Sequence, residues 1–100
     1  MRFLMAFAAA ATFLCTTASA DTRDRIIEEC HAQLQLGDSG CTCIADKADA
    51  ELSADQQEFL IAQVTDDPAA TQAATAKLTV AEMTQVGLFM QQAPAACAGQ

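Results

Sequence analysis

Apolar residues in this chain recur three and four positions apart, and nowhere do they alternate with polar ones over the length of a strand. That spacing marks helices with one buried face. The first helix after residue 20 is predicted from about Thr22 to Leu36, capped by Asp21 or Thr22. Ile26, Ile27, Cys30 and Leu34 share one of its faces, and Gly37 is the expected left-handed residue past its end. A turn at Asp38-Ser39-Gly40 leads to a second helix from about Cys41 to Leu52, with Ser39 or Thr42 as cap. Its inner stripe is Ile44, Ala45, Ala48 and Leu52, while Asp46, Lys47, Asp49 and Glu51 face water.

Two capping boxes follow. Ser53-Ala54-Asp55-Gln56 opens a third helix that buries Phe59, Leu60 and Val64, and Thr79-Val80-Ala81-Glu82 opens a fifth. Between them Asp67 caps, and Pro68 takes the first position of, a slim fourth helix over Ala69 to Lys77. The fifth carries a wide apolar face of Val80, Met83, Val86, Gly87, Phe89 and Met90. Leu88 is stranded among its polar residues and is a candidate binding contact. Pro94 disfavours helical geometry at Ala93 and is expected to end the helix there, leaving residues 94–100 as a tail tied by Cys97. The predicted fold is all-α: one small disulfide-stapled bundle of four to five short helices over residues 21–100, with no internal repeat or linker.

Residues 1–20 read differently. Arg2 is a positive start, Phe3 to Leu14 an apolar run of about a dozen residues, and Ala18-Ser19-Ala20 a small-residue cleavage site. Together they form a secretory signal cut between Ala20 and Asp21. The apolar run is shorter than the roughly 20 residues that a span needs. The competing reading, a lipid anchor on Cys15, is disfavoured because Thr12-Phe13-Leu14 puts large residues where lipoprotein signals want small ones.

Export sharpens the composition. All thirteen acidic residues lie after Ala20, against four basic ones, a net charge of −9. Nucleic-acid and anionic membrane surfaces call for the opposite sign, so neither is an expected partner. A protein partner in the periplasm fits. Phe59 and Phe89 are the only aromatics of the exported part. A core so poor in large residues calls for covalent support.

Cys30, Cys41, Cys43 and Cys97 supply it, since an oxidising compartment turns four cysteines into two disulfides. A Cys41–Cys43 bridge would close a strained ring. The other two pairings both staple the first helix to the second. The helical wheel favours Cys41 for Cys30, because Cys41 shares the stripe of Ile44 and Ala48. Axial height favours Cys43, because Cys30 lies almost two turns before the predicted bend. Phase is unreliable in a first turn, so the expectation is Cys30–Cys43 with Cys41–Cys97.

Catalytic chemistry is not indicated. His31 is the only histidine, and no nucleophile elbow, Gly-rich phosphate loop, C-x-x-C or paired zinc-ribbon motif occurs. Asp66-Asp67 reads as a helix end and cap rather than a catalytic pair. No cofactor or metal is expected. The sharper alternative is metal or thiol-redox handling through Cys41 and Cys43, with Met83 and Met90 as soft ligands.

Cys30, the Cys41-Thr42-Cys43-Ile44 run and Leu52-Ser53 ahead of an acidic helix carry a resemblance over residues 30 to about 65. The chain resembles small exported helical proteobacterial proteins with a C…C-x-C pattern, mostly of unknown function. The resemblance implies a periplasmic helical domain with disulfides and no catalytic residue. The expected function is a non-catalytic interaction module, inhibitor or accessory subunit. A periplasmic acid- or stress-protective chaperone is the alternative beside metal or redox handling.

Overall fold

The computed structural model describes residues 14–99, with side chains from residue 21 onward. Five helices occupy them: α1 (Leu14–Gln33), α2 (Gly37–Glu51), α3 (Ala54–Val64), α4 (Pro68–Thr75) and α5 (Val80–Cys97). Most of the expected signal lies outside the described residues. α1 runs through Ala20 and Asp21 without a break, so neither Asp21 nor Thr22 caps a helix. The buried positions described on α1, Thr22, Ile26 and Cys30, all follow the expected cut after Ala20.

α1 and α2 form a hairpin, and α3 and α5 pack across it. α4 lies against α3 and buries only Ala74. The core gathers Ile26 and Cys30 from α1, Ile44, Ala45 and Ala48 from α2, Phe59, Leu60 and Ile61 from α3, and Val86, Phe89, Ala93 and Cys97 from α5. Ala45 and Ala48 are fully buried, and their small side chains let α2 approach its neighbours closely.

Local chemistry sets most boundaries. Ser53 Oγ accepts from Gln56 N, and Gln56 Oε1 accepts from Ser53 N at 2.8 Å. Thr79 and Glu82 form the same reciprocal box, and Asp67 Oδ1 accepts from Ala70 N behind Pro68. α3 ends in a Schellman motif. Asp67 N donates to Ala62 O, Asp66 N donates to Gln63 O, and Asp66 takes φ 55° between them.

Three boundaries differ from the sequence reading. α1 ends at Gln33, and Gln35 at φ 55° takes the left-handed position just past it; Gly37 is left-handed as expected, at φ 81°, but as the first residue of α2. α2 begins at Gly37, four residues early, behind Leu36, which makes no side-chain cap; neither Ser39 nor Thr42 starts it. α5 continues through Pro94 to Cys97, so the expected tail is helical to its fourth residue. Ala93 and Cys97 are buried on the core side, and uncoiling at Pro94 would withdraw both. That burial outweighs the local cost of proline.

Candidate functional site

The disulfides build the frame of the site. They join Cys30 to Cys41 and Cys43 to Cys97, with Cα separations of 5.5 and 5.8 Å. The expected pairing, Cys30–Cys43 with Cys41–Cys97, is thereby corrected, and the shifted helix ends are the reason. Cys30 lies three residues before the end of α1 and Cys41 four after the start of α2, so the two sit at matching heights. Cys41 is in the second turn of α2, where its phase is fixed, and it is fully buried beside Ile44 and Ala45. Cys43, two residues on, faces α5 instead and takes Cys97.

One face of this frame is a groove. Ile26, Cys30 and Leu34 of the α1 end, Leu60, Ile61 and Val64 of α3, and Phe89, Met90 and Pro94 of α5 surround an apolar hollow of about 220 Å³ with Ile44 at its floor. Leu34 and Met90 stand at its edge, 41% and 36% exposed. Leu34, expected on the buried face of α1, is thus left without cover at the point where α1 stops. Gln33 secures the α1 wall: its Nε2 donates to Val64 O at 2.6 Å and to Glu29 Oε1 at 2.9 Å. Glu29 is the one charged residue lining the hollow.

Several charges elsewhere are paired away from it. Arg23 forks onto Asp46 and Asp49 of α2 at 2.7 and 2.8 Å, and hydrogen bonds to both carboxylates raise its pKa. Arg25 reaches Glu58 at 3.9 Å, Lys47 reaches Glu51 at 3.7 Å, and His31 Nε2 lies 3.2 Å from Asp38. A glutamine network ties α2, α3 and α5 on the far side. Gln56 Nε2 donates to Glu82 O and Gln85 Oε1, and Gln85 Nε2 donates to Glu51 O.

The candidates from sequence are dispersed. Leu88 is exposed on α5 but does not line the groove, and Val80, expected on the apolar face, is 75% exposed. Cys41 and Cys43 point to different partners. Among the described residues no three His, Cys, Asp or Glu gather as a metal site would. No helix among them is long and apolar enough to cross a membrane. The groove escaped sequence reading because it lies where three helices meet; the only local signal was an apolar Leu34 beside a polar helix end. Compared with protein-family models, curated proteins and solved structures, the chain matches none.

Proposed function

We propose that this protein is an exported, non-catalytic interaction module of the periplasm, an inhibitor or accessory subunit that holds a protein partner in the α1/α3/α5 groove. The observation that carries the reading is the apolar hollow edged by Leu34 and Met90. Its volume exceeds the roughly 150 Å³ of an engineered cavity that accepts benzene, so one large apolar side chain fits. Such an anchor in a desolvated pocket supplies a disproportionate share of binding energy at protein interfaces. Methionine at the edge adapts to different shapes. Two disulfides support an oxidising compartment, and the leader-like residues 1–20 support export.

The test compares wild type with Leu34→Gln and Met90→Gln in affinity capture from the exported fraction. Both positions are exposed enough for glutamine to leave the fold intact, which circular dichroism checks. A partner held by wild type and lost from both variants supports the reading. A partner retained equally by all three, or none retained by any, overturns it.

A further inference from the structure

The groove has a charge signature as well as a shape. Its single ionised lining residue is Glu29, and no basic side chain lines it. Glu29 Oε1 accepts from Gln33, but among the described residues Glu29 has no cationic partner. Arg25, one turn earlier on α1, is directed to Glu58. An apolar seat beside a carboxylate with no cationic partner complements a side-chain pair of one apolar anchor and a cation about one helical turn away.

We infer that the groove takes a short amphipathic helix from a basic protein partner, seating one large apolar side chain in the hollow and a Lys or Arg on Glu29. This deepens the reading of the groove as a docking surface and rests on it. A second copy of the chain is a poor occupant, because it would bring its own Glu29 and, over residues 21–100, a further −9 of charge. A protein segment suits the site better than a small free molecule, because Leu34 and Met90 extend the apolar surface past the hollow. Only an occupant longer than the cavity covers them.

The experiment uses the disulfide-intact protein, as processed by the exporting cell. It is titrated at low salt with two synthetic helical peptides of Leu and Ala, one with Lys and one with Glu at the polar positions. Binding is followed by methyl NMR shifts of Leu34, Met90 and Ile26. The Lys peptide is expected to bind at those methyls at least about tenfold more tightly than the Glu peptide. Glu29→Gln should weaken the Lys peptide up to about fivefold, the upper range for a partly exposed ion pair. Asp24→Asn removes the same charge on the opposite face of α1 and should change the affinity less than twofold.

If both peptides bind the groove equally and Glu29→Gln changes nothing, the cationic preference falls while the docking reading stands. If Glu29→Gln and Asp24→Asn act alike, the preference is net charge alone and the assignment to Glu29 falls. Shifts at these methyls with neither peptide would end both. Dodecyltrimethylammonium below its micelle concentration is a fourth arm: its binding without that of the Lys peptide would overturn the protein partner in favour of a free amphiphile.

Discussion

Cys97 lies one turn beyond Pro94 on α5 and is bonded to Cys43 of α2, so a covalent link holds the stretch of helix that proline weakens. Pro94 has no N–H for the carbonyl of Met90, and its ring crowds that turn. Met90 and Pro94 also form the α5 wall of the groove. The Cys43–Cys97 bridge is therefore coupled to the shape of the site. Replacing both residues by Ser should cost about 4 kcal/mol, the chain-entropy value for a loop of 54 residues. Amide exchange should rise first after Ala93. Removing Cys30–Cys41, which closes a loop of 11, should cost about 3 kcal/mol and leave the α5 wall in place. Denaturant melts with site-resolved hydrogen exchange read both.

Pro94→Ala restores the missing donor and relieves the ring. It should stabilise the protein by about 1 to 3 kcal/mol and slow amide exchange in the last turn of α5. A destabilised variant would mean that the proline ring supplies packing that the helix cannot do without.

Gln57 is buried and its Nε2 donates to Ala48 O at 3.1 Å and Leu52 O at 3.2 Å, satisfying carbonyls at the end of α2. Gln57→Leu keeps much of the volume but strands the Leu52 carbonyl. A loss of about 1 to 3 kcal/mol in denaturant unfolding is expected.

Asp66 takes left-handed geometry at the end of α3, which costs a side-chain-bearing residue about 1 kcal/mol and glycine almost nothing. Asp66→Gly should raise the melting temperature without moving the α3–α4 junction. Thermal denaturation of the pair reads the difference.

What the sequence disclosed follows the range of the forces involved. Ser53 with Gln56, Thr79 with Glu82, and Asp67 with Pro68 act within four residues, and each starts a helix where its pattern says. The α1–α2 bend was misread because its signals are weak: Leu36 has no capping side chain, and Gln35 adopts a conformation usually left to glycine. That error of three or four residues reversed the disulfide pairing, since axial height changes by about 1.5 Å per helical residue. Pro94 was misread because local preference yielded to the burial of Ala93 and Cys97. The groove depends on where α1 ends relative to α3 and α5, and no segment of the chain encodes that alone.

Docking at the groove edge is tested most directly by a photo-crosslinking amino acid placed in turn at positions 34, 90, 80 and 88, in protein exported by the living cell. All four positions are exposed, and only 34 and 90 border the hollow. A discrete crosslinked partner from 34 and 90, and none from 80 and 88, is the predicted result. Crosslinks from 80 or 88 with none from 34 and 90 would rule out the groove as the docking surface.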